Sequence, residues 1–535
     1  MAAIAKSFLP NRSYLVERQC VFRPACQLRH ALTMITIARS TDVTAVASRW
    51  IVSSVAVQFV KALLLFGSQI VLARLLDPAD FGIVAMCAPV FGLCCLFNDL
   101  GLSQAVIQRQ SLSVDESNNI FWINFAIGCL LGFVLLAVAP ALAGFYNDRR
   151  VTAVLAALAL ILVINSLSFQ QVALMHRRME PVPILLIDIV PVVANAVAAI
   201  SAAGLGGGYW SLVIGQMAHA IAAGLLAWTL SPFRPARPRK LANALPIMRF
   251  GAHLTGLSMA SFAATSLTPL AIGRLFGAWE LGVFDRGYKL VSMSFVQFLT
   301  PLSRIAETSL ARLYSDRERY RQTYLQFSEA LILFLTPGLI CLAFMSDSAV
   351  QVLYGKEWLA ASSIVRWFSV ASLLAPAGAA ASWLFVSQGR TRQMLRFGLA
   401  GQLLTVVSLL LGLPWGPVGF AISSAIFSLP IHGITIWSAT REGPVSLAQF
   451  VKMLLPIGLA LAVSAAFVWI MSRQLDHLPL HPLVALMIGG LTAYLSTALA
   501  LCASRPGRKI IGNAKRAFLI IRGSTAAASA APLSA

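Results

Sequence analysis

Charge is what this chain has least of. Only 11% of its 535 residues are Asp, Glu, Lys or Arg, against roughly a quarter in soluble domains, which excludes an ordinary water-soluble protein. Acid is scarcer still, with 20 Asp and Glu against 41 Lys and Arg. Nucleotide and hydrolytic motifs are also missing. Without the spacing of a phosphate-cradling P-loop, the chain has no means of using ATP itself. It also lacks HExxH and a nucleophile elbow, so it is not read as an enzyme. The glycine run GLGGGYW at 204–210 reads as a tight turn. The eight cysteines show no disulfide or zinc spacing: Cys87, Cys94, Cys95, Cys129, Cys341 and Cys502 lie in or beside apolar runs, Cys20 and Cys26 near the N-terminus. Inert thiols, no metal and no cofactor follow from that distribution.

What fills the chain is apolar length. Hydrophobic residues make up 58%, and a bilayer-crossing helix needs about 20 of them in succession. Windows of that kind occur near 49–72, 81–99, 119–139, 151–171, 182–203 and 208–230. Six more lie near 250–273, 282–303, 327–345, 362–386, 397–413 and 415–438, and two near 450–471 and 482–503. The expectation is an all-α polytopic membrane protein of about fourteen transmembrane helices. Its divisions are a basic tail 1–40, a first lobe 41–230, a basic linker 231–249, a second lobe 250–440, two further helices in 441–503, and a tail 504–535. Met34 offers an alternative start after a basic leader that has no signal-peptide pattern.

The net charge of +21 does not point to nucleic acid, because the excess sits in short loops and tails. With the N-terminus placed in the cytoplasm, connecting loops on that side hold 18 Lys and Arg and the opposite loops six. That bias puts both termini in the cytoplasm. Loops on the far side are too short for an external domain. The Arg-rich stretch 303–326 reads as an amphipathic surface helix.

One stretch occurs twice. Gln69–Met86, QIVLARLLDPADFGIVAM, returns as Pro269–Arg286, PLAIGRLFGAWELGVFDR, at an offset of 200 residues without a gap. Arg74 falls on Arg274, Leu75 on Leu275, Asp80 on Glu280 and Gly82 on Gly282. Two related halves are therefore expected, with the working site at the seam between them.

ARLLDPADFGIVAM followed by FNDLGLSQAVIQR resembles the opening of the bacterial polysaccharide-exporter family, the Wzx-type branch of the superfamily that also holds multidrug exporters and peptidoglycan-lipid flippases. LGVFDRGYKL at 281–290 is similar to the corresponding entry of the second half. The resemblance runs from about Ala47 to about Ser504. It implies two lobes of six spans plus two appended spans, and transfer of an undecaprenyl-pyrophosphate-linked oligosaccharide between leaflets by alternating access. An ion gradient would drive the cycle, in a bacterial inner membrane, with polysaccharide polymerase and export machinery as possible partners. Two alternatives remain. A multidrug or small-cation exporter would favour an acidic cavity, and a polysaccharide polymerase or ligase would need a large external loop.

Charges inside apolar spans are costly, at least about 2.5 kcal/mol each by insertion scales, so the few present are candidates. Lys61 lies midway along the first span. It is either a cavity cation or half of an ion pair with an acid such as Asp188. Asp285, Arg286 and Lys289 appear where the first half has Ala85, Met86 and Pro89. Arg286 and Lys289, with Lys61, are the substrate-binding candidates, because Arg suits phosphate through its planar fork. Asp188 and Asp99 are candidates for ion coupling, or for a structural pair and a helix cap. Arg74 and Arg274, with Asp80 and Glu280, are expected to lock the outer turns through paired charges. Arg304 and Glu307 read as an inner gate or as a local pair. Asn124, Asn165, Gln216, His219 and Gln297 are assigned to interhelical hydrogen bonds.

Overall fold

In hydrocarbon a backbone has no water to bond, so an apolar chain of this kind must satisfy its N–H and C=O groups within helices. The computed structural model describes residues 43–99, 101–108, 113–178, 180–237, 245–475, 477–478 and 480–514, and shows only helices and turns among them. The expected tail 1–40, linker residues 238–244 and the tail beyond 514 lie outside the described residues. One compact unit spans Ala56–Ile520, and Met1–Val55 with Ile521–Ala535 form a second. Of the second, only the helical residues 43–55 are described. Everything below concerns the first.

The helices of the first lobe are α1 (Val43–Leu75), α2 (Pro78–Asp99), α3 (Leu102–Gln108), α4 (Val114–Tyr146), α5 (Arg150–Ser166), α6 (Phe169–Arg177), α7 (Pro181–Gly204) and α8 (Trp210–Leu230). Local sequence sets their ends. Ser113 Oγ accepts the Glu116 N–H at 3.1 Å while the Ser113 N–H donates to Glu116 Oε2 at 2.8 Å, a reciprocal cap on α4. Asn147, in the left-handed region at φ 56°, closes the same helix. Prolines open α2 and α7, where a missing N–H costs nothing.

The second lobe repeats the order: α9 (Leu245–Arg312), α10 (Arg317–Phe344), α11 (Ser346–Leu353), α12 (Ala361–Ala371), α13 (Ala375–Ser387), α14 (Thr391–Gly412) and α15 (Gly416–Arg441). α9 is two arms joined at Gly277, whose φ of 83° only glycine adopts freely. The Leu76–Asp77 break between α1 and α2 occupies the matching place. The bent pair α5–α6, at 40°, answers α12–α13, at 46°. Two closing helices, α16 (Leu447–Leu475) and α17 (Pro482–Ala503), pack on α10 and α11 of the second lobe through Val468, Ala485 and Ala493.

Eight described segments are long and apolar enough to cross a membrane, or up to ten if each bent pair is one span. The protein is thus multi-pass. The sequence-based number of fourteen is larger for identifiable reasons. α14 and α15 run together as one 51-residue segment, and α9 carries Arg274, Glu280, Asp285, Arg286 and Lys289 in one helix. The 303–326 stretch is also not a separate surface helix. Its first part continues α9 to Arg312 and its second part begins α10, whose N–H at Arg319 is capped by Asp316 Oδ1 at 3.1 Å.

The two copies of the repeat touch each other. A Cβ on Gly82 would lie 1.7 Å from the Ala278 carbonyl oxygen, and a Cβ on Gly282 would lie 1.7 Å from that of Pro78. The contact is reciprocal under the 200-residue offset, so a pseudo-twofold axis passes between these two turns. A single apolar core, with Leu72, Ile83 and Met86 from one lobe and Ile272, Leu281 and Val283 from the other, surrounds it.

Candidate functional site at the seam

Beside this contact lies a cavity of about 240 Å³, lined from the first lobe by Gln69, Phe81, Asn195 and Gln216 and from the second by Asp285, Arg286 and Lys289. The Gly277 bend aims the second arm of α9 across the seam, which brings residues 285–289 against α1 and α2. Arg286 is buried, 6% exposed. Its Nη2 and Nε donate to Asp285 Oδ2 at 2.8 and 3.2 Å, and its Nη1 donates to Gln69 Oε1. The guanidinium carbon stands 4.4 Å from the Phe81 ring centre, a favourable placement for a desolvated cation. Lys289 Nζ lies 2.8 Å from Asp285 Oδ1. One carboxylate therefore serves two cations, and the cluster keeps one net positive charge facing the cavity. A solitary charge so enclosed costs several kcal/mol. Sharing the acid, together with the Gln69 and Phe81 contacts, is what makes the cluster tolerable.

The other candidates fall elsewhere. Lys61 Nζ and Asp188 Oδ1 are 3.0 Å apart, linking α1 to α7 with about a third of each side chain exposed (29% and 32%). This pair does not line the cavity around Arg286. The side chain of Asp99 is outside the described residues. The charge pairing expected at the turns is not formed among the described residues. Arg74 instead donates to the Leu353 carbonyl at 3.4 Å and to that of Val352, capping α11 of the opposite lobe. Free carbonyls at a helix end accept a cation readily, and a neighbouring acid is not needed. Arg274 crosses in the other direction, 5.7 Å from the ring centre of Phe145. Asp80 faces the glycine turn, where a Cβ on Gly208 would meet its Oδ1 at 3.3 Å. Glu280 is half-buried and forms no ion pair among the described residues. Arg304 is exposed and Glu307 half-buried near the end of α9, and no ion pair joins them there. Trp358, fully buried, donates from Nε1 to the Ala73 carbonyl at 2.7 Å, a further bond between lobes.

A family model described as polysaccharide biosynthesis protein matches residues 71–363, more than half of the chain. The chain belongs to that family. Members similar to it include the lipopolysaccharide biosynthesis protein WzxC of Escherichia coli K12, 22% identical over 64% of this chain and 70% of that one. The succinoglycan biosynthesis transport protein ExoT of Rhizobium meliloti is 24% identical over 54% of this chain. The matches to ExoT and to TuaB of Bacillus subtilis, named for teichuronic acid biosynthesis, each span 58% of the relative's length. Among solved structures, the lipid II flippase MurJ in an inward closed conformation superposes with a TM-score of 0.67, covering 83% of this chain and 97% of its own at 12% identity. An inward-facing multidrug resistance MATE family transporter of the MOP superfamily gives 0.58, over 74% and 99% at 15% identity. At such identities the likeness is one of fold, and the fold of this family member is that of transporters.

Three cavity residues escaped the sequence reading. Gln69 opens the repeated stretch opposite Pro269, a departure from the repeat that was there to be seen. Phe81 is not singled out by the sequence, and Gln216 is assigned there to an interhelical hydrogen bond. Only packing across the seam shows that they face the same space as Arg286.

Proposed function

We propose that this protein carries an oligosaccharide, linked through pyrophosphate to a polyprenyl lipid, from the inner to the outer leaflet of a bacterial inner membrane by alternating access. The net-positive cluster of Asp285, Arg286 and Lys289, facing a cavity that both lobes line, carries this reading. A guanidinium fork and an ammonium suit a pyrophosphate. The sugar follows in the aqueous path while the tail stays in lipid. The relatives' names, in polysaccharide biosynthesis and transport, and the fold shared with a lipid II flippase support it. In this reading both termini are cytoplasmic and the repeat turns face outward. Lys61 is available to cargo only if it leaves Asp188, which makes that pair the candidate for ion coupling. A polysaccharide polymerase and export machinery are the expected partners. A cationic drug is disfavoured, because the cavity's acid is already held by two cations.

The test is complementation of a strain lacking the gene. Arg286→Ala and Lys289→Ala, inserted at normal levels, are expected to abolish surface polysaccharide and to accumulate the lipid-linked intermediate on the inner leaflet. Normal display in both variants removes the cluster from the mechanism.

A further inference from the structure

Arg286 does two things at once. It is the buried cation of the cavity, and it is a strut between lobes, because its Nη1 ends on Gln69 of α1. The other bonds that cross between the lobes here also end on neutral acceptors: Arg74 on the Val352 and Leu353 carbonyls, Trp358 on the Ala73 carbonyl. Among the described residues no ion pair joins the two lobes. This end is thus held by packing and by bonds to uncharged oxygens.

Two features make Arg286 releasable. Asp285 does not depend on it, since Lys289 approaches both carboxylate oxygens, at 2.8 and 2.9 Å, and would still neutralise the acid. Gln69 offers only a neutral amide oxygen. A phosphate oxygen brings a full negative charge to the guanidinium in place of a neutral amide dipole, and can take it through two N–H groups. Gln69 lines the same cavity, so an anion entering it competes with Gln69 directly.

The repeat supports a dedicated role. The glycine contact is present twice, as Gly82 on Ala278 and Gly282 on Pro78. The Gln69–Arg286 bond is present once, because the equivalent positions are Pro269 and Met86. The doubled contact suits a pivot, and the single polar bond suits a trigger.

We propose that Gln69 and Arg286 form a cargo-released latch. An anionic pyrophosphate head group in the cavity draws the guanidinium away from Gln69, and the lobes become free to part at the end where the repeat turns meet. The proposal rests on the reading of the cargo given above, and names the residue through which cargo binding would reach the gate.

The experiment uses the full chain in liposomes, with native cysteines replaced and spin labels at Leu205→Cys and Trp415→Cys. Both positions are exposed, at 88% and 76%, on corresponding turns of the two lobes. Inorganic pyrophosphate is the probe, and calorimetry measures its binding separately. In the otherwise unaltered protein, pyrophosphate is expected to lengthen the label separation. Gln69→Leu, which keeps bulk but removes the acceptor, should show the longer separation without pyrophosphate. Gln69→Glu, which makes the latch a charge pair, should need at least about ten-fold more pyrophosphate for the same shift. A merely structural Gln69 would not move these two variants in opposite directions. Pyrophosphate that binds without changing the separation overturns the latch and leaves the cargo reading intact. Pyrophosphate that does not bind overturns both. Gln69 variants that respond like the parent overturn the latch alone.

Discussion

At the scale of single residues, the few charges inside this chain are arranged by who neutralises whom. Lys61 and Asp188 are each the other's counter-ion. Removing one partner of a buried pair commonly costs 3–5 kcal/mol, and solvent reaching a third of each side chain reduces that to about 1–3 kcal/mol. Lys61→Met and Asp188→Leu should each lower the thermal midpoint in detergent, and the double variant should recover most of the loss. Additive losses in the double variant would show that the two are not coupled. These residues were legible as lone charges in apolar spans. Their pairing was one of two open readings, because the choice depends on which helix faces which. Asp285, Arg286 and Lys289 were legible as a departure from the repeat. Gln69 departs from the repeat as well, standing opposite Pro269, but a neutral amide within α1 does not name its partner until the lobes are packed together.

At the scale of elements, the helix–turn–helix repeat was fully legible as a pattern, while its physical use was not. Equal spacing cannot say that the two copies pack against each other through Gly82 and Gly282. Alanine at either position puts a Cβ 1.7 Å from a backbone oxygen, so the helices must separate. Overpacking of this kind costs about 1–3 kcal/mol. Gly82→Ala and Gly282→Ala should each lower the thermal midpoint and reduce polysaccharide display. Unchanged stability in both would mean that the close approach is dispensable. The Arg-rich 303–326 stretch misled for a different reason. Its Ala, Leu, Glu and Arg residues are strong helix formers, and they extend α9 and α10 where the charge pattern suggested a separate piece. The short α4–α5 turn offers a pH test. Arg150 donates to Asp148 at 2.8 Å and holds its carboxyl below the ordinary value of 3.8. That stabilisation is fully present above pH 3.8 and is lost as pH falls through the lowered value. Asp148→Asn should therefore be less stable than the parent at neutral pH, by no more than about 1 kcal/mol. The difference should close as unfolding is measured at progressively lower pH below 4. A constant difference across that range would exclude the carboxylate as its source.

At the scale of the whole molecule, the all-helical, multi-pass character could be read directly, because it follows from hydropathy. The number of spans could not be fixed the same way, since 282–303 reads as a span by apolar length while Asp285, Arg286 and Lys289 charge that arm of α9. Orientation can be checked apart from function. Cysteines placed at Arg149 and Arg392 should differ in labelling of intact cells by an impermeant maleimide, with position 149 reacting and position 392 protected. The reverse pattern would turn the proposed topology over. The reciprocal glycine contact has one more consequence. Each copy of the repeat supplies both the notch and the backbone that fills it, so a lone half presents a face complementary to itself. Such an isologous face is what a closed homodimer needs, so the two halves of this one chain meet as two subunits of such a dimer would.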